Sequence, residues 1–305
     1  MKSKLNVLFL FLLSIIAVNT ACTDSYAGDD IQTMSQIEAR AKKNRVTTIP
    51  LDTTKTTTTT TTTSTSTTSS SIIFEDNFDQ TNGLPDASKW SLCTPISTVN
   101  WARYLSGSNN QAYVKNSNLI LTAEKVNGVY QCGGVRTLGK VEFTYGKVEV
   151  RARFKSVQGG WPGIWMMPVN QSNGWPKDGE VDIMEEVSNE SNAYMTIHSN
   201  YIENLRNYTP NYQFMSPFIV NGYNTYCTNW TSEKIEFYIN GKLIASYPNL
   251  HLSNESTVMQ WPFNKPFYLI LNFSLGGANT WPGAIDDTQL PGYMEVDWVK
   301  VTKTQ

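Results

Sequence analysis

Val148, Val150, Ala152 and Phe154 alternate with Lys147, Glu149, Arg151 and Arg153. A period of two puts one set on each face of a β-strand, so one side packs and the other stays polar. Short β-rich segments of this kind recur at residues 118–122, 140–154, 179–185, 193–198, 234–239, 266–273 and 294–301. Gly, Asn and Pro punctuate them, as in Lys125-Val126-Asn127-Gly128. Ile239-Asn240-Gly241-Lys242 reads as a hairpin, because Asn-Gly accepts the positive φ of tight primed turns. No long stretch keeps a 3.6-residue period, and a βαβ organisation needs several. The pattern therefore predicts an all-β protein, a two-sheet antiparallel β-sandwich.

The first residues depart from this pattern. Lys2 and Lys4 precede an apolar run over residues 7–18, which ends at Asn19-Thr20-Ala21-Cys22. Such a run suits a signal peptide over 1–21 and is short for a membrane span. The small residues before Cys22 resemble a bacterial lipoprotein box, with Asn19 where such boxes usually carry Leu. That reading makes Cys22 a lipidated N-terminus, the only link to a membrane, on an outer-membrane lipoprotein; plain secretion is the alternative. Residues 22–71, with their Thr block through Thr63, have little to bury and read as a disordered Thr/Ser-rich linker. The folded domain is expected over 72–305, as a monomer.

Composition narrows the function. Lys and Arg total 24 against 26 Asp and Glu, which excludes a strongly basic nucleic-acid binder. Charged residues are 16% of the chain, but there are 9 Trp and 15 Tyr. Aromatic surface without charge suits a neutral ring-shaped ligand such as a sugar. If Cys22 carries lipid, Cys93, Cys132 and Cys227 remain, either as three buried thiols or as one disulfide and one thiol. None has metal or redox spacing and the chain has two histidines, so no metal or other cofactor is expected to be required.

Gly179-Glu180-Val181-Asp182-Ile183-Met184-Glu185-Glu186-Val187 is the chemically informative segment. In a strand, Glu180 and Asp182 share a face while Val181 and Ile183 enter the core. Strict alternation would then bury Glu185 and expose Met184, at a cost of several kcal/mol for an unpaired carboxylate. A β-bulge between Ile183 and Glu185 removes both faults and swings Glu185 back beside Asp182. Crowded carboxylates raise each other's proton affinity. A retaining glycosidase needs one carboxylate ionised and another protonated, roughly 5 to 5.5 Å apart. The competing readings are a solvated acidic strand and a calcium site, although calcium loops draw on oxygen-rich turns. A structural calcium ion stays compatible with the sequence.

The segment resembles the catalytic motif of glycoside hydrolase family 16, in its longer, bulge-containing laminarinase-type form. Further resemblances run in order along the domain: Ile73-Phe74-Glu75-Asp76-Asn77-Phe78, Trp90, Tyr145 to Arg153, Trp161 to Pro168, Gly174-Trp175-Pro176, Pro266 to Asn272, Trp281-Pro282-Gly283 and Met294 to Val299. The resemblance implies a concanavalin A-like jelly roll with an open cleft. It makes Glu180 the nucleophile, Asp182 its assistant and Glu185 the acid/base, with Glu186 a bystander pointing the other way. It places Tyr145 to Arg153 near the cleft.

Trp161, Trp165, Trp175 and Trp281 lie among Pro and Gly and, with Trp230, are candidates to border bound sugar. Asn110 and Arg136 align with family residues that contact sugar hydroxyls, although Gln111 replaces the acidic residue that usually follows the asparagine. His198 falls on the next strand, where the family often carries a histidine. The resemblance implies an endo-acting β-glucanase for laminarin or mixed-linkage β-1,3/1,4-glucan, working by double displacement. The alternatives are a galactan hydrolase of the agar, porphyran or carrageenan type and a non-catalytic β-glucan-binding protein. Low charge disfavours a sulfated or uronic polymer.

Overall fold

In the computed structural model, which describes residues 71–304, the alternation noted above sets the architecture. The signal peptide, the linker through Ser70 and Cys22 lie outside the described residues. Seventeen strands follow in chain order: β1 (Ile72–Asp76), β2 (Asn82–Gly83), β3 (Ser91–Leu92), β4 (Ala112–Lys115), β5 (Asn118–Val126), β6 (Val129–Cys132), β7 (Gly134–Arg136), β8 (Gly146–Lys155) and β9 (Gly160–Pro168). Then come β10 (Glu180–Glu185), β11 (Asn192–His198), β12 (Gln213–Pro217), β13 (Asn224–Trp230), β14 (Lys234–Ile239), β15 (Lys242–Pro248), β16 (Phe267–Leu275) and β17 (Gly292–Thr302). Two single helical turns, α1 (Asn200–Glu203) and α2 (Glu255–Val258), interrupt them.

The strands form two sheets. The larger runs β15-β14-β13-β8-β17-β5-β4-β2, with β1 added on β17 and β6 on β5. The smaller runs β12-β11-β10-β9-β16-β7-β3. Neighbours pair antiparallel, as the sequence predicts. Both expected turn signals are realised: Asn127 and Gly128 between β5 and β6, and Asn240 and Gly241 between β14 and β15, all have positive φ.

β8 is buried at every second residue from Gly146, so Val148, Val150, Ala152 and Phe154 line the inner face of the large sheet. Facing them across the sandwich are Ile164, Met166, Val181, Ile197, Leu269 and Leu271 of the small sheet. β16 is buried along its whole length, because one face packs in this core and the other lies under the covered part of the cleft.

Three expectations are corrected here. β8 belongs to the large sheet, on the far side of the core from the acids, and its polar face carries surface ion pairs of Arg151 with Asp297 and Arg153 with Glu295. The strand starts at Gly146 and not at residue 140, since residues 137–145 turn between sheets. Trp230 does not border the cleft: it is 1% exposed, donates its indole N–H to Phe263 O at 3.0 Å, and packs against Phe143, Tyr145 and Phe267. Cys93, Cys132 and Cys227 are buried free thiols, which resolves the cysteine alternatives.

Candidate active site

Gly179 sets the entry into β10. Its φ is +89°, and a Cβ there would meet Phe263 and Pro262 at 2.9 Å, so a side chain is excluded on both counts. From that point Glu180 pairs with His198 and Asp182 with Thr196 of β11. The register then slips between Asp182 and Glu185, and Glu185 pairs with Tyr194. Against β9 the slip lies between Asp182 and Met184. This is the expected bulge, and its result is that Ile183 and Met184 are both buried while Glu180, Asp182 and Glu185 share one sheet face. Glu186 points away into the layer between the sheets, fully buried near Tyr226.

The face around the acids is built in rows across the small sheet. Asp182 is level with Trp165, Ile270 and Arg136, and Glu185 with Gly163, Asn272 and Gly134. Gly163 and Gly134 leave this second row open, since a Cβ on either would crowd Asn272 at 3.2–3.3 Å. Trp161 lies one step further along β9, opposite Ser274.

Each outer glutamate is held by one tryptophan. Trp175 Nε1 donates to Glu180 Oε2 at 2.6 Å, and Trp161 Nε1 donates to Glu185 Oε1 at 2.8 Å. His198 Nε2 lies 3.1 Å from Asp182 Oδ2, and its Nδ1 is 2.8 Å from Glu203 Oε1. Glu180, Asp182 and His198 bring donor atoms within 4.8 Å of one another, a spacing that also suits a cation. Nδ1 of His198 is hydrogen-bonded to Glu203 and Nε2 lies against Asp182 as an ion contact, so the ring links the two carboxylates.

Electrostatics separates the two glutamates. Burial raises the proton affinity of Glu180, and Asp182 raises it further, while His198 and the Trp175 N–H pull it down. Burial pushes Glu185 well above the usual carboxylate range, with Asp182 adding to it, Trp161 opposing it and His198 acting weakly. The imidazole thus favours ionisation of Glu180 first, and Glu185 keeps its proton longer. The protons belong to a coupled set.

The remaining candidates divide. Trp281 packs edge-on against Trp161 at 5.9 Å and Tyr194 at 5.1 Å, which places it at the Glu185 end. Trp165 is on the acid-bearing face but covered: it donates to Asn272 Oδ1 at 2.6 Å and meets the edge of Trp101 at 4.7 Å. Trp101 is therefore the half-buried outer ring at this spot, and the sequence reading missed it although it too is a tryptophan outside any strand pattern. Arg136 is half-buried on the same face with its Nε unpaired. Asn110 is exposed on the turn before β4, where its backbone N–H bonds Ser108 Oγ. Gln111 is buried elsewhere, donating to Glu124. Glu203 was also missed, because only the turn of α1 carries it back to His198.

The two antiparallel sheets, with three carboxylates on the face of the smaller one, form a jelly-roll sandwich like that of a solved laminarinase from Rhodothermus marinus. The family described as Glycosyl hydrolases family 16 matches residues 99–300, and the chain belongs to it. It is 42% identical over 239 residues to a keratan-sulfate endo-1,4-beta-galactosidase of Sphingobacterium multivorum, covering 76% of this chain and 55% of that protein. The chain thus spans about half the length of that relative. It is 33% identical over 245 residues to a beta-glucanase of Rhodothermus marinus, covering 75% of this chain and 84% of that one. A solved structure from work on endo-acting O-glycanases that prominent members of the human gut microbiota express to initiate mucin breakdown superposes with a TM-score of 0.70. It is 38% identical and covers 77% of this chain and 100% of that chain.

Proposed function

We propose that the protein is a retaining, endo-acting glycosidase in which Glu180 attacks the anomeric carbon and Glu185 is the acid/base. The observation that carries this is the bulge, which turns both carboxylates to one face and gives each its own indole donor. Glu185 protonates the glycosidic oxygen as Glu180 forms a glycosyl ester and the aglycone chain leaves. The Glu185 carboxylate then takes a proton from water, which displaces Glu180 with retention. Asp182, between them and paired to His198, holds the nucleophile in place.

For the substrate we propose an internal β-galactosidic bond in a glycan of the kind named for the 42% identical relative and the 38% identical structure. A β-1,3- or β-1,4-glucan is the second reading, supported by the beta-glucanase match, which spans 84% of that protein, and by the low charge of the chain. We further propose that the enzyme works outside the cytoplasm, held to the outer membrane through Cys22; a Cys22→Ala protein should leave the membrane fraction. Incubation with keratan, mucin O-glycans, laminarin and barley β-glucan tests the substrate. Release of oligosaccharides from only the last two would overturn the galactoside reading. Proton NMR of the first products should show the β-anomer; an initial α-anomer would overturn the double displacement.

A further inference from the structure

Glu203 takes no part in the chemistry above, yet it is fastened to the catalytic cluster. β11 ends at His198, the chain turns at Ser199 into α1, and the last residue of that turn reaches back onto the imidazole. Glu203 Oε1 lies 2.8 Å from Nδ1, while Nε2 of the same ring lies 3.1 Å from Asp182 Oδ2. A neutral imidazole keeps a lone pair on one nitrogen, and here that lone pair would face an anionic oxygen. Carboxylates at both ends are satisfied together only by an imidazolium.

We propose that Glu203 is a positioning residue: it holds the His198 ring as a cation against Asp182, and so keeps Asp182 fixed in place beside Glu180. Asp182 is almost completely buried, and a buried carboxylate needs such a counter-charge. One carboxylate partner beside the cation would serve Asp182 alone. The second, Glu203, makes the cation persist into the range where an ordinary histidine is neutral.

The groups facing the ring are Glu180, Asp182 and, more weakly, Glu185 from β10, and Glu203 from α1, with Arg206 acting on Glu203 from the turn beyond. The Trp175 ring lies against it at 5.7 Å, tilted by 47°. Burial disfavours the imidazolium, but the bonds to Asp182 and Glu203, with the charges of Glu180 and Asp182, outweigh it and raise His198 well above 6.5. Burial also works against the Glu203 carboxylate, and His198 and Arg206 reverse it, so Glu203 stays below its usual range. The two partners thus hold each other charged.

The effect on rate rests on the proposed roles of Glu180 and Glu185; the state of the ring does not, and is measured without substrate. The chain has two histidines, so 15N-histidine labelling gives two imidazole signals, with the exposed His251 as internal control. In the wild-type protein His198 should stay protonated well above pH 6.5. Glu203→Gln keeps an oxygen acceptor for Nδ1–H but removes the charge, and should lower the His198 midpoint by about one pH unit or more, a tenfold change in proton affinity. Glu203→Asp should restore most of the shift. In kcat/KM, the loss in Glu203→Gln should be smallest at pH values where its His198 is still charged, and grow as pH rises through the lowered midpoint. An unchanged midpoint in Glu203→Gln overturns the proposal outright. A uniform loss of activity at every pH, with the midpoint unmoved, would mean that Glu203 only supports α1. A lowered midpoint in a protein inactive on every glycan would leave the charge relay standing and remove the proposed function instead.

Discussion

The indole N–H of Trp175 donates to Glu180 Oε2 at 2.6 Å, so a side chain expected to stack on sugar is engaged edge-on with the carboxylate meant to attack it. This bond opposes the burial that raises Glu180. Trp175→Phe keeps a ring in place and deletes the donor. A hydrogen bond to a charged group contributes about 1.5–3 kcal/mol, so Glu180 should bind its proton more tightly by roughly one to two pH units. As the proposed nucleophile, Glu180 must be ionised; hence the acidic limb of kcat/KM should move to higher pH. A pH–rate profile with an unmoved acidic limb would contradict this role.

Trp161→Phe should act on the other limb. Trp161 lowers the proton affinity of Glu185, so losing its N–H raises that affinity further. The general acid then stays protonated to higher pH and the alkaline limb moves up. The rate at the optimum should fall, because a weaker acid protonates the leaving oxygen less readily. The two conservative substitutions therefore narrow and widen the same profile, a contrast that one series of pH–rate measurements resolves.

Glu185→Gln removes the acid and keeps the shape of the side chain. Loss of general acid–base catalysis costs about 10²–10⁴ in rate. Substrates with a good leaving group need little protonation, so an aryl glycoside should lose far less in its first step than the polymer does. Glu180→Gln should abolish turnover of both. Steady-state assays on an activated glycoside and on the polymer separate the two roles, and equal losses on both in Glu185→Gln would exclude it as the acid.

What the chain reveals by itself is what local alternation encodes. Strand periodicity, two Asn-Gly turns and the apolar pair Ile183-Met184 between acids are all short-range signals, and they suffice for the sandwich, the bulge and the shared face of Glu180, Asp182 and Glu185. Which sheet a strand joins is a long-range outcome. The polar face of β8 looks the same in sequence whether it lines a cleft or meets solvent beside Glu295 and Asp297, and only the pairing with β13 and β17 decides. Tryptophans pose the same difficulty. Trp161 and Trp175 reach carboxylates, Trp165 is covered by Trp101, and Trp230 fills the core, although nothing in their sequence neighbourhoods separates these fates.

That sorting of tryptophans is measurable. Trp230→Ala should remove about 3–5 kcal/mol of stability, the usual cost of deleting a large buried aromatic. It also leaves Phe263 O without its donor. Trp281→Ala and Trp101→Ala act on half-buried rings and should cost much less in chemical denaturation, with their main effect on KM for the polymer. Equal destabilisation by all three would mean that the cleft rings are core residues too.

Glu186 should make stability depend on pH in the direction opposite to an ion-paired acid. Burial pushes its pKa up to about 8, with Ser156 and the backbone amides of Glu190 and Asn189 offsetting only part. Its unfolded value is near 4.5, so between those two values the folded state holds a proton that the unfolded state has released. Unfolding is then favoured as pH rises, by about 1.4 kcal/mol per pH unit across that window, up to about 5 kcal/mol in the limit. Glu186→Gln is neutral throughout and escapes this loss. Urea unfolding from pH 4 to 9 should therefore show the variant gaining on wild type through the window, with the difference levelling off above pH 8. Glu180 and Glu185 contribute similar slopes to both proteins and cancel in the comparison. A difference that stays flat across the window would mean that the buried carboxyl is already satisfied as an anion.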